Sequence, residues 1–191
     1  MKPTFAPTID RESAARVRLL VLDVDGVLTD GGIFIGATAS GERIEMKRFE
    51  ITDGLGVRLL KSSGVEVAIV TGRTSDAVRL RAEEMGIREC HQGAGARKMP
   101  VVEELASRLG IDLDAVAFLG DDLADLAVLR RVGFPAAVAN AVPEVRAVAR
   151  WVGKRRGGVG AVRELAEQLL RARGEWVELV ELYVTGRGAE E

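Results

Sequence analysis

Residues 54–86, GLGVRLLKSSGVEVAIVTGRTSDAVRLRAEEMG, contain one repeat of the pattern that organises this chain. GLGVRLLKSS gathers its apolar side chains on one helical face, VEVAIV is a short and nearly unbroken apolar run, and SDAVRLRAEEMG is helical again until a glycine stops it. A strand apolar on both faces, with an amphipathic helix on either side in sequence, belongs in a parallel sheet. The alternation continues downstream: a short strand near Glu89–His91, a helix around Val101–Leu109, a strand at Ala115–Leu119, a helix at Leu123–Arg130, a strand at Ala136–Ala139 and a helix at Pro143–Ala149. Upstream, Val17–Leu22 is another near-continuous apolar strand. The whole predicts an α/β fold, a doubly wound, Rossmann-like parallel sheet covered by helices on both faces.

Between the first strand and this alternation the text changes character. IFIGATASGERIEMKRF alternates apolar and polar residues around a polar turn at Ala39–Gly41. That pattern predicts a β-hairpin over about residues 31–49, inserted after strand 1. Residues 1–15 read as a polar, proline-containing and loosely held lead, residues 16–173 as the core domain, and residues 174–191 as a C-terminal tail. A glycine-rich break, GKRRGGVGAV, precedes the last two helical segments. No insert is large enough to make a cap domain.

Composition narrows the chemistry. A chain of 191 residues, 47% hydrophobic, suits one ordinary domain with a real core. A formal net charge of −2 gives no pull toward nucleic acid. One Cys and one His leave no disulfide framework, no Cys/His zinc site and no Ser-His-Asp scheme that needs more such groups. Cys90 and His91 are neighbours on a short strand, where successive side chains face opposite ways, so they read as packing residues rather than a dyad. No apolar stretch approaches the ~20 residues of a membrane span, and the N-terminus lacks the apolar core of a signal peptide. A soluble, cytoplasmic protein is expected.

The chemistry-bearing residues lie at strand ends. Asp23 and Asp25 follow the first strand, and Gly26 then allows a sharp turn. Ligands of open α/β sheets bind beyond the carboxyl ends of the strands. Carboxylates at i and i+2 on an extended segment face the same way. One can attack phosphorus while the other protonates the leaving oxygen, although an acidic turn after a strand would look the same. Thr71 and Gly72, in VTGR, sit at another strand exit and could hold phosphate oxygens with hydroxyl and backbone N–H, or simply turn the chain. Lys98 precedes a helix and gains weight only from its company. GDDLADL is the strongest local signal. Asp121 ends a strand, and Asp122 and Asp125 fall in the following helical turn, with Asp121 and Asp125 on one face. Helix-dipole stabilisation of about 0.3–1 kcal/mol per charge excuses one or two carboxylates, not a converging trio. A divalent cation does, and all-oxygen ligands favour Mg²⁺ over zinc. Lys154, Arg155 and Arg156 with Gly157, Gly158 and Gly160 either bind an anion before the next helix or form a solvated basic loop.

DVDGVLTDG, VTGR, the Lys98 region and GDDLADL, in this order, resemble the four motifs of the haloacid dehalogenase superfamily. DGVLTDGGIFI, KRFEITDGLGVRLLKSSGVEVAIVTGR, HQGAGARK, FLGDDLADLAVL and GGVGAVREL further resemble the 3-deoxy-D-manno-octulosonate 8-phosphate phosphatases, over roughly residues 17–172. The resemblance implies a Mg²⁺-dependent phosphomonoesterase acting on a phosphorylated sugar acid. Asp23 would be the nucleophile and Asp25 the acid/base, with the Asp25 carbonyl also holding Mg²⁺. Thr71, Gly72 and Lys98 would bind phosphate, Arg73 would contact the sugar acid, and Asp121 would be the further metal ligand supported by Asp122 and Asp125. It also implies a capless homotetramer in which the hairpins pair and a neighbouring subunit helps close each site. ARKM departs from the Asp-Lys usual before the third motif, but the lysine is kept.

Two other readings are set aside on the same residues, and a nine-carbon substrate is kept as the alternative. A phosphoacceptor receiver domain also clusters carboxylates with a Thr and a Lys, but places its acidic pair first and its single acceptor aspartate on a middle strand. A phosphatase of nine-carbon sugar acid 9-phosphates would carry an acidic residue in place of Arg73. A phosphomutase would need a cap and a second phosphate site.

Overall fold

In the computed structural model, which describes residues 8–95 and 97–188, a six-stranded sheet runs through the molecule in the order β5-β4-β1-β6-β7-β8, and every pairing in it is parallel. The strands are β1 (Leu19–Leu22), β4 (Glu66–Val70), β5 (Glu89–His91), β6 (Val116–Gly120), β7 (Phe134–Ala137) and β8 (Trp151–Val152). β1 is LLVL with each side chain buried, as a central strand covered on both faces must be. Full burial of each such side chain contributes roughly 1.5–3 kcal/mol.

The helices form two packed groups. α1 (Arg11–Arg16), α2 (Ile51–Ser62), α7 (Ala161–Arg173) and α8 (Trp176–Gly188) pack on one another; α4 (Lys98–Leu109), α5 (Leu126–Leu129) and α6 (Pro143–Val148) form the second group. α3 (Asp76–Glu84) touches the hairpin instead. The hairpin is a separate two-stranded antiparallel sheet, β2 (Phe34–Ala37) with β3 (Arg43–Met46), register Phe34↔Met46 to Ala37↔Arg43. Its turn is closed by Thr38 N–H donating to Glu42 O at 2.8 Å, with Gly41 at φ 82° where a side chain would be strained. No cap domain is present among the described residues. None of the described helices is long and apolar enough to cross a membrane.

The structure departs from the sequence reading at two expected elements and adds one strand that was not expected. Residues 8–15, expected in the loosely held lead, are tied down: Asp10 caps α1, Ile9 and Ala14 are buried, and the Trp151 indole N–H donates to Thr8 Oγ1 at 3.0 Å. The rest of the lead, residues 1–7, lies outside the described residues, as do 189–191 of the tail. α5 is shorter than Leu123–Arg130, because Leu123–Asp125 is a 3-10 turn shaped by Asp125's own hydrogen bonds. Strand β8, two residues long, falls in a stretch with no periodicity to announce it.

Candidate phosphoryl-transfer site

The sheet order reverses beside β1, between β4–β5 on one side and β6–β8 on the other. That switch point is where open α/β sheets place their ligands. Leu22 pairs with Leu119 on one side and with Ile69 on the other, so Asp23, Thr71 and Asp121 leave three adjacent strands at one rim. Asp23 N–H continues the ladder to Leu119 O at 3.1 Å.

Lys98 opens α4 and turns its ammonium inward, almost wholly buried. It lies 2.7 Å from Asp23 Oδ1 and 2.7 Å from Asp125 Oδ1. Asp125 Oδ2 then accepts from the backbone N–H of Asp121 at 2.9 Å and of Asp122 at 3.4 Å. Both oxygens of this fully buried carboxylate are thus committed to organising the turn and orienting the lysine. Asp122 is exposed; its Oδ1 accepts from Leu123 N–H at 2.7 Å, capping the 3-10 turn rather than joining the cluster.

Asp121 is different. Its Oδ1 is buried without any hydrogen-bond partner. Burial first, then the charges of Asp23, Asp125 and Asp122, push its carboxyl up to about 8. Asp23 is pushed up to about 6, by burial and then by Asp125, against the pull of Lys98. Burial alone would lower the Lys98 ammonium, but the charges of Asp23 and Asp125 raise it. Asp23, Asp121 and Asp125 each offer an oxygen, all within 4.8 Å of one another. An orphaned buried oxygen among crowded carboxylates, with no nitrogen or sulfur donor, fits a hard divalent cation.

The surrounding loops explain the glycines. Gly26 has φ 95°, and a Cβ there would lie 1.9 Å from Asp121 Oδ2. A Cβ at Gly157 would meet Gly26 O at 1.7 Å. Gly158 N–H donates to Val27 O at 3.0 Å, and Asn140 Oδ1 accepts from Gly157 N–H at 2.9 Å. The basic loop of residues 154–160 therefore buttresses the Asp23–Gly26 loop. The backbone N–H groups of Lys154 and Arg155 are already taken by the Glu164 carboxylate at 2.8–3.1 Å. Thr71 is buried, with its N–H on His91 O and its carbonyl accepting from Ala94 N–H; Gly72 packs against Gly95. Arg73 is half exposed, 3.0 Å from Glu45 Oε2 and 3.8 Å from Asp25 Oδ2. It lines a cavity of about 420 Å³ with Arg43, Glu45, Thr74, Ser75 and Asp76. Cys90 and His91 stay apart: the thiol packs against the core and is raised by burial, while His91 Nε2 meets Glu89 Oε2 at 3.0 Å.

Comparison with known proteins bears on this rim. The profile of haloacid dehalogenase-like hydrolases matches residues 92–163. The 3-deoxy-D-manno-octulosonate 8-phosphate phosphatase of Escherichia coli is 43% identical over 162 residues, covering 85% of this chain and 84% of that protein. The chain belongs to the 3-deoxy-D-manno-octulosonate 8-phosphate phosphatase family. The crystal structure of the Moraxella catarrhalis phosphatase, in complex with magnesium, phosphate and the free sugar acid, aligns with a TM-score of 0.84 at 39% identity, covering 91% of this chain and 97% of that one. The cobalt-bound form of the Haemophilus influenzae phosphatase aligns with a TM-score of 0.79 at 32% identity, covering 94% and 99%.

For an octulosonate phosphatase fold, sequence reasoning missed two buried charges. Lys47, just past β3, meets the Asp25 carboxylate and lies 3.7 Å from Glu45 Oε1. Asp53, fully buried, accepts the Arg163 N–H at 2.8 Å, supplying the cap that Gly160 cannot give α7. Lys47 follows a stretch of ordinary alternation. Asp53 resembles any acidic residue in a first helical turn. Only the KRFEITDGLG similarity gave a sign of either.

Proposed function

We propose that the protein is a Mg²⁺-dependent phosphomonoesterase that hydrolyses 3-deoxy-D-manno-octulosonate 8-phosphate through an aspartyl-phosphate on Asp23. The observation that supports this most is the convergence of Asp23, Lys98, Asp121 and Asp125 at the switch point, with Asp121 Oδ1 left unpartnered. The substrate follows from the relatives' activity and from a polar, roughly sugar-sized cavity lined by Arg73, whose guanidinium neighbours Asp25.

Asp23, Asp121 and the Asp25 carbonyl would hold Mg²⁺, which when bound offsets charge on the phosphoryl oxygens. Asp125 supports this set from behind, since both of its oxygens are occupied. Asp122, turned to its own cap, acts at most through the loop. Asp23 attacks phosphorus in line. Asp25 passes a proton to the departing sugar oxygen, then takes one from the water that cleaves the acyl phosphate. Lys98, held by two carboxylates in the free enzyme, exchanges part of that contact for phosphoryl oxygen. The Thr71 hydroxyl and Gly72 N–H hold the remaining oxygens, and Arg73 meets the sugar acid.

The hairpin exposes Phe34, Ile35, Ile44 and Met46, an apolar surface that a homotetramer would bury. A cytoplasmic location accords with a sugar-phosphate substrate. Steady-state kcat/KM across phosphorylated sugar acids tests the substrate. The eight-carbon 8-phosphate should be preferred, and preference for a nine-carbon 9-phosphate would displace it.

A further inference from the structure

We propose that Lys47 is a positioning residue for Asp25, fixing one carboxylate oxygen so that the other is presented to the leaving group. The Lys47 side chain is completely enclosed, the Asp25 side chain only partly. Enclosing an ammonium costs several kcal/mol unless it is paired, and such pairing rarely adds net stability over an apolar contact. A role in geometry is the better account of its burial.

The lysine contacts Asp25 Oδ1. Oδ2 is left on the side of Arg73, whose Nε lies 3.8 Å away and which lines the cavity. The backbone that presents Lys47 is itself anchored. Arg48 Nη1 donates to Gly158 O at 2.8 Å, in the loop that buttresses the Asp23–Gly26 turn, and Phe49 lies under the Arg81 guanidinium, 5.9 Å from ring centre to carbon. Glu45 completes the arrangement by holding Arg73 at 3.0 Å while standing 3.7 Å from Lys47. The ammonium therefore reaches Asp25 from a fixed platform. A carboxylate with one oxygen pinned cannot rotate freely and delivers its proton from one direction.

This assignment rests on the phosphatase reading above, and its test separates the two. The parameter kcat/KM reports steps up to phosphoryl transfer onto Asp23, where a sugar alkoxide needs a proton and dinitrophenolate does not. With Mg²⁺ saturating, Lys47→Met should lose ~30-fold or more on the sugar acid phosphate, within the range of general acid–base contributions. On 2,4-dinitrophenyl phosphate the loss should stay several times smaller. Should Lys47→Met fail to fold, Lys47→Gln, which keeps a donor without the charge, carries the same comparison. Equal losses on both esters would make Lys47 a mere anchor for the hairpin and overturn the proposal, as would no loss on either. Wild-type protein inactive on both would overturn the phosphatase reading itself.

Discussion

Lys98 and Asp125 meet inside the molecule, Nζ to Oδ1 at 2.7 Å, although 27 residues separate them in the chain. The pair joins the start of α4 to the turn after β6 and leaves no oxygen of Asp125 free. Removing Asp125 leaves Lys98 with Asp23 as its one charge partner and the Asp121 and Asp122 N–H groups without their acceptor, at a cost of about 1–3 kcal/mol. Asp125→Ala should therefore lose stability on that scale in urea titration as well as activity. A variant as stable as the parent would show the pair to be incidental.

Gly26 is held to glycine by the carboxylate it faces. With φ at 95° and a Cβ 1.9 Å from Asp121 Oδ2, Gly26→Ala must shift either the loop or the aspartate. Backbone strain of this kind costs about 1–3 kcal/mol. The expected outcome is a folded protein with activity reduced ~100-fold or more, since misplacement by about 1 Å costs on that order. The required Mg²⁺ concentration should rise as well. Initial rates over a Mg²⁺ titration read both effects.

Asp53 gives a pH dependence of definite sign. Burial raises its carboxyl from 3.8 to about 6, against the Arg163 N–H that favours the charged form. The folded protein thus holds this proton more tightly than the unfolded chain. Stability from this group is fully present below pH ~4 and falls as pH rises to about 6, after which it stays about 3 kcal/mol lower. Asp53→Asn cannot ionise and keeps an oxygen for the cap. Its stability relative to wild type should rise between pH 4 and pH 7. Denaturant midpoints at several pH values check this, and parallel curves would contradict it.

The proposed homotetramer is testable at the hairpin. Phe34 and Met46 are cross-strand neighbours and both exposed. Replacing them with Phe34→Asp and Met46→Lys removes apolar surface without touching the sheet core. Sedimentation should show a smaller species than wild type, and an unchanged assembly would place the interface elsewhere.

What could be read from the sequence follows burial and periodicity. LLVL, VAIV and VAFLG are buried on both faces, so their apolar runs stand out, and each leads into a candidate site residue. Asp23, Thr71 and Asp121 were legible for that reason. The division of labour among the acidic trio was not. Asp122 and Asp125 differ only in which way a single 3-10 turn points them, and one faces solvent while the other is fully buried. Lys47 and Asp53 act across long sequence separations, on Asp25 22 residues away and on Arg163 110 residues away, which no local pattern encodes. Trp151–Val152 pairs with β7 through two residues, too few to show a period of two.

In the proposed reaction, phosphorus passes through the Asp23 carboxylate. Acid-quenching the Mg²⁺-loaded protein during turnover of the sugar acid phosphate, then sequencing its peptides by mass spectrometry, tests this directly. A phosphoryl adduct on Asp23, absent in Asp23→Asn along with nearly all turnover, is the predicted result. Full turnover by Asp23→Asn, or an adduct on any other residue, would contradict the account.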